Sequence, residues 1–168
     1  MTETISATDK NLIQLEGEET FFKHTKKISS LTSRELCILT DELDRSIFNN
    51  QKIVDQLSAF VRQDRHSTIK ILVKNIKPII EHGHLLLTLS RKIPSKIIIK
   101  KLLFAPKDNA MAYMIGDKKY LLYKHSDNEY LGFVNYSAGP ESQKLLEEFT
   151  YLWESHSIAD PELRQLTI

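Results

Sequence analysis

At 168 residues, with 41% hydrophobic and 27% charged side chains, the chain fits one folded domain and is neither a disordered nor a fibrous protein. Its formal charge of +1 excludes a global attraction to nucleic acid or anionic membranes, so any such binding needs a local patch. The single cysteine, Cys37, excludes an intramolecular disulfide, and its setting in Leu36-Cys37-Ile38-Leu39 marks it as a small buried hydrophobe.

Residues 1–15 are polar with scattered apolar positions and no period, and read as a loose leader before a single domain over 16–168. The opening segment carries no basic start or apolar stretch, and no later run approaches the ~18 apolar residues of a spanning helix. A cytoplasmic protein is the expectation, with no membrane association.

From Glu18 the apolar positions Phe21, Phe22, Ile28 and Leu31 follow the 3-4 spacing of one helical face. Leu36 to Leu39 is a short apolar run that reads as a buried strand, ending in the acidic loop Thr40-Asp41-Glu42-Leu43-Asp44. A second helix is predicted over 50–65, with Ile53, Leu57, Phe60 and Val61 on one face. The β-branched run Thr68 to Val73 follows as a second strand. Pro78 opens a third helix that stops before Pro94, with Gly83 available for close approach to a neighbour. Ser95 to Leu103 is the third strand.

After the loop Pro106-Lys107-Asp108-Asn109 the texture changes. Met111 to Ile115, Tyr120 to Tyr123 and Tyr130 to Val134 are short strands with turn residues between them, as antiparallel neighbours require. Pro140 starts a closing helix with Leu145, Phe149, Leu152 and Trp153 inward. The expected architecture is an α/β fold: one mixed sheet, parallel in its first half and antiparallel in its second, with helices on both faces.

The strands Met111 to Asp117 and Lys119 to Tyr123, the element Gly132-Phe133-Val134-Asn135, and the helix ending Phe149-Thr150-Tyr151-Leu152-Trp153 together resemble the closing half of a phospholipase D-like domain. The whole chain from about Phe21 to Leu166 is similar to an uncharacterised bacterial phospholipase D-like family found alone or attached to acetyltransferase domains. The tail Asp160-Pro161-Glu162-Leu163-Arg164-Gln165-Leu166 is part of that likeness. The superfamily's catalytic strand reads His-x-Lys-x-x-x-x-Asp, followed by Gly-Ser-x-Asn. With Asp117 at the aspartate, Ala110 stands at the histidine position and Ala112 at the lysine position. A register on Asp127 offers Tyr120 and Leu122 and fails equally. Gly132 and Asn135 remain of the second element, with Phe133 in place of serine.

An imidazole nucleophile must attack phosphorus while cationic donors hold the phosphoryl oxygens, and alanine does neither. The resemblance therefore implies a degenerate, non-catalytic module that regulates or binds another protein, and pairing of such halves across the motif face implies a homodimer. Residual phosphodiesterase activity is the remaining enzymatic alternative.

Other constellations carry less. His82-x-His84 on a helix points its rings to nearly opposite sides and cannot chelate one ion, so no metal or cofactor is expected. The stretch 91–107 holds Arg91, Lys92, Lys96, Lys100, Lys101 and Lys107 with no acid, an alternative surface for nucleic acid or an anionic ligand. Few aromatic residues are interleaved with these charges, which favours plain strand-edge decoration. Neither Gly-x-Ser-x-Gly nor a phosphate-binding glycine loop is present. Ligands of open α/β sheets collect beyond the carboxyl ends of parallel strands. The candidate cleft is thus Asp41, Asp44 and His84, joined by Asp117, Tyr123 and Asn135 from the degenerate motif, with Arg91 as a possible anion contact.

Overall fold

The computed structural model describes residues 11–104, 110–126 and 129–164. The Pro106–Asn109 loop with Lys107, the alternative aspartate Asp127, and the tail from Gln165 onward lie outside the described residues.

Eight strands form one sheet in the order β1-β7-β6-β5-β2-β3-β4-β8. The parallel centre is β2 (Glu35–Thr40), β3 (Thr68–Val73) and β4 (Ile97–Leu102). On one side β5 (Ala112–Gly116), β6 (Tyr120–Ser126), β7 (Glu129–Asn135) and β1 (Leu12–Glu16) add antiparallel. Beyond β4, the two-residue β8 (Ser157–Ile158) closes the other edge, also antiparallel. The mixed sheet read from the sequence is the one observed.

The apolar stripes explain the layers. On one face α1 (Glu18–Leu31), α3 (Gln51–Gln63) and α5 (Leu85–Lys92) bury Phe21, Ile28, Leu57, Phe60 and Leu86 against Ile38, Ile71, Ile99, Met114, Leu122 and Val134. On the other, α6 (Gly139–Ser155) sets Phe149, Leu152 and Trp153 on Leu39, Leu72, Tyr113, Ile115, Tyr123 and Phe133. Alternation along each strand divides the residues between the faces. Each large side chain removed from water contributes about 2 kcal/mol. Cys37 lies in the second cluster at 2% exposure, and burial pushes its thiol up, as expected of a structural cysteine.

Several elements differ from the sequence reading. Residues 12–15, expected to be loose, form edge strand β1 together with Glu16, in register with β7 from Leu12 opposite Asn135 to Glu16 opposite Leu131. The third helix is two, α4 (Lys77–His82) and α5, broken at Gly83 with φ 72°. A Cβ at Gly83 would meet nothing within 4 Å, so this glycine serves the left-handed bend and not a close approach. Two short helices were unforeseen: α2 (Arg45–Phe48) and α7 (Pro161–Arg164). Among the described residues no helix is long and apolar enough to cross a membrane.

Candidate functional site

The carboxyl end of β2 turns into the loop 40–44, whose conformation is held from three sides. Thr40 Oγ1 accepts from the Leu43 amide at 3.1 Å, Leu43 is fully buried with φ 60°, and the Leu43 carbonyl accepts from His84 Nε2 at 3.0 Å. A non-glycine residue at positive φ is strained unless its surroundings fix it. His84 supplies that restraint while its Nδ1 accepts from the Leu86 amide at 3.1 Å, capping α5. With one ring nitrogen donating and the other accepting, the neutral form fits. Burial is the main cause that lowers its pKa to about 4.

A group whose folded pKa falls below its unfolded value binds fewer protons when native. The stability His84 contributes is therefore complete above pH 6.5 and lost as pH falls from 6.5 to about 4. Relative to a His84→Gln variant, the wild-type chain is expected to lose on the order of 3 kcal/mol across that window, read by urea unfolding at pH 7.5 and 4.5. Parallel pH profiles for the two chains would show that His84 does not carry the effect.

The loop delivers Asp44 to a polar cluster. Asp44 caps α2 by accepting from the Ser46 amide at 3.0 Å, receives the Tyr130 hydroxyl at 2.9 Å, and pairs with Lys124 at 3.5 Å. The Lys124 ammonium also lies 4.5 Å from the Tyr130 ring centroid. Burial pushes the Tyr130 hydroxyl up to about 12, so it remains a donor. Lys124, 9% exposed, stands directly across the β5–β6 ladder from Ala112. Lys74 reaches the start of the same strand, donating to the Met111 carbonyl at 2.8 Å. A small pocket opens beside this cluster, lined chiefly by Phe21, Ile38, Phe48, Ala112, Met114 and Leu122, with Thr25, Thr40, Asp44 and Lys124 as polar lining residues.

The structure thus brings a lysine to the place where Ala112 interrupts the motif, but among the described residues no imidazole lines the pocket. His84 is committed to Leu43 and Leu86, and His125 lies against Tyr123 and Phe133 on the opposite face of the sheet. No group of three or more potential metal ligands occurs among the described residues. His82 ends α4 and His84 precedes α5, so a helix break separates the pair that sequence placed on one helix.

Of the expected cleft residues, Asp41, Asp44 and His84 gather at this end. Asp41 adjoins it through its carbonyl, which accepts from the Asn75 amide at 2.8 Å. The other four do not join them. Asp117 sits at the opposite end of the sheet, where its carboxylate accepts from the amides of Ser33 (2.8 Å), Arg34 (2.8 Å) and Glu35 (3.1 Å) and from the Ser33 hydroxyl (3.1 Å). Burial opposes ionisation there, but these donors outweigh it and hold the carboxyl below its ordinary range. Asn135 shares that end, 1% exposed, with Oδ1 accepting from the Ser137 amide in the turn toward α6.

Tyr123 is a core residue facing α6, stacked 5.1 Å from Phe133, with its hydroxyl on Met111 Sδ at 3.4 Å. Arg91 clamps α7, donating to the carbonyls of Glu162 (2.6 Å) and Leu163 (3.1 Å). Lys96 donates to the Asp64 carbonyl, while Lys100 turns to the α6 face, bonding the Trp153 carbonyl at 3.2 Å and covering its ring at 4.5 Å.

Lys124 escaped the sequence reading because a lysine after Tyr120-Leu121-Leu122-Tyr123 looks like a strand end. Its place on the inner face beside Leu122 was the available signal.

Solved structures of similar shape include the archaeal chromatin protein TrmBL2, whose structure shows a novel mode of DNA binding (TM-score 0.62, 17% identity, 93% of this chain and 57% of that one). NucT from Helicobacter pylori aligns with TM-score 0.59 at 12% identity, over 89% of this chain and 97% of that one. The phosphatidylserine synthase of Haemophilus influenzae Rd KW20 aligns with TM-score 0.67 at 11% identity, over 98% of this chain and 41% of that one. The chain therefore spans about half the length of two of these three proteins. At such identities the likeness concerns the fold, which is phospholipase D-like. No curated protein matches the sequence. A family model described as Domain of unknown function (DUF7931) matches residues 17–166, and the chain belongs to that family.

Proposed function

We propose that this domain is a non-catalytic phospholipase D-like module that regulates or binds another protein and acts as a homodimer. One observation carries the reading: the mouth at Ala112 holds a lysine already paired with Asp44, and none of the lining residues is a histidine. A phosphodiesterase of this fold needs a free imidazole and an uncommitted cation at one phosphate. Here the cation, the carboxylate and the Tyr130 hydroxyl satisfy one another.

Pairing across the mouth end agrees with its surface. Leu85, next to His84, and Leu131, next to Tyr130, are 38% and 42% exposed. An acetyltransferase-type protein is the partner class that the family resemblance suggests. Light scattering at high protein concentration is expected to give about twice the 19.5 kDa chain mass, with Leu131→Glu shifting the population toward monomer. A strict monomer would overturn the homodimer reading.

A further inference from the structure

We infer that the end of the sheet opposite the mouth is a nucleic-acid-binding surface, built from lysines of α1 and of the β5–β6 turn around a pair of tyrosines. Lys27 holds its ammonium 4.4 Å from the centroid of the Tyr136 ring. Tyr136 lies 6.2 Å from Tyr120, and the Lys119 ammonium is 5.1 Å from the Tyr120 ring. These contacts make one continuous run from helix to turn. Lys23, one helical turn before Lys27, is exposed beside it, while Lys118 turns to the α6 face and lines a groove with Glu35, Glu147 and Glu154.

None of Lys23, Lys27 and Lys119 is in an ion pair with a carboxylate among the described residues. The neighbouring carboxylate, Asp117, is spent on Ser33, Arg34 and Glu35. That clamp also fixes the turn in which Asp117 and Lys118 adopt φ of 49° and 63°. His24, hydrogen-bonded to the Tyr136 hydroxyl at 2.6 Å, feels the same field: burial first, then Lys23 and Lys27, lowers its pKa.

Net charge conceals this patch because most of the compensating acids lie away from Lys27 and Lys119: Glu141, Glu147 and Glu154 belong to α6 and Glu162 to α7, while Glu18 and Glu19 of α1 sit in its first turn. Unpaired ammonium groups interleaved with aromatic rings fit a phosphodiester backbone with bases lying against the rings. A membrane-surface reading fits less well, since binding in the lipid interface needs a broad apolar face and Leu31 is the one large exposed apolar residue of α1.

The test is anisotropy of a fluorescent 20-nucleotide single strand and of its duplex, titrated with the full chain across a salt series. Binding is expected to weaken steeply with salt. Lys27→Glu with Lys119→Glu is expected to lower affinity more than 10-fold and flatten the log–log salt slope by about 2. The milder Lys27→Gln with Lys119→Gln should fall between, and Lys96→Glu with Lys101→Glu should leave affinity within about 2-fold. Circular dichroism establishes that each variant is folded. Salt-independent binding, equal losses from both Glu pairs, or binding to phosphatidylserine vesicles with none to either oligonucleotide would overturn the inference.

Discussion

Gly132→Ala is expected to cost more than 3 kcal/mol of stability or to prevent folding. Gly132 lies in β7 opposite Lys124, where the β6–β7 ladder slips register between Lys124 and Ser126. A Cβ added there would stand 1.8 Å from the Tyr123 carbonyl oxygen and 2.8 Å from its carbon. Those atoms are backbone, held by the ladder on both sides, so no side chain can swing away and the two strands would have to part. Overpacking of a rigid core costs about 1–3 kcal/mol, and a backbone collision exceeds that. Gly139→Ala is the control: its Cβ would meet nothing within 4 Å, and its stability should match wild type. Urea unfolding of the two variants checks the contrast. Gly132 is thus kept by strand packing, a reason independent of any phosphate motif.

Asp117→Ala should be nearly as damaging, at about 2–3 kcal/mol, which for a chain of this size lowers the melting temperature by roughly 4–12 °C. Its carboxylate satisfies the amides of Ser33, Arg34 and Glu35 just before β2 and steadies a turn with two residues at positive φ. Truncation leaves those donors without their acceptor and the left-handed turn without its anchor. Asp117→Asn retains one acceptor oxygen but loses the charge and should recover about half of the loss. Differential scanning calorimetry at pH 7 measures both. An Asp117→Ala chain melting with wild type would mean that the carboxylate is replaceable by water.

These two residues also show where sequence reasoning succeeds and fails. The central strands were legible because parallel strands buried on both faces read as continuous apolar runs, as in Leu36 to Leu39 and Ile97 to Ile99. Strand β1 was not, because Leu12 finds its partner at Asn135, and nothing local announces so distant a pairing. The rule that loops after parallel strands lie at the carboxyl end of the sheet places Asp41 and Asp44 together.

The linear order of the motif predicts Asp117 and Asn135 at the same end as Asp41 and Asp44. Yet β5 runs antiparallel to β2, with Gly116 beside Leu36 and Tyr113 beside Leu39. Its start lies at the mouth, and its close lies at the far end, roughly 15–20 Å away along the strand. Alternation likewise sends Tyr123 to α6 while Leu122 and Lys124 face α1. Lys124 became visible only when the register set it across from Ala112.

The claim that the mouth has no phosphodiesterase chemistry is most directly tested by turnover of a chromogenic phosphodiester such as bis(p-nitrophenyl) phosphate, with the wild-type chain and Lys124→Met side by side. Product release at the buffer rate from both is the expected result. Release by the wild type that Lys124→Met abolishes would contradict it.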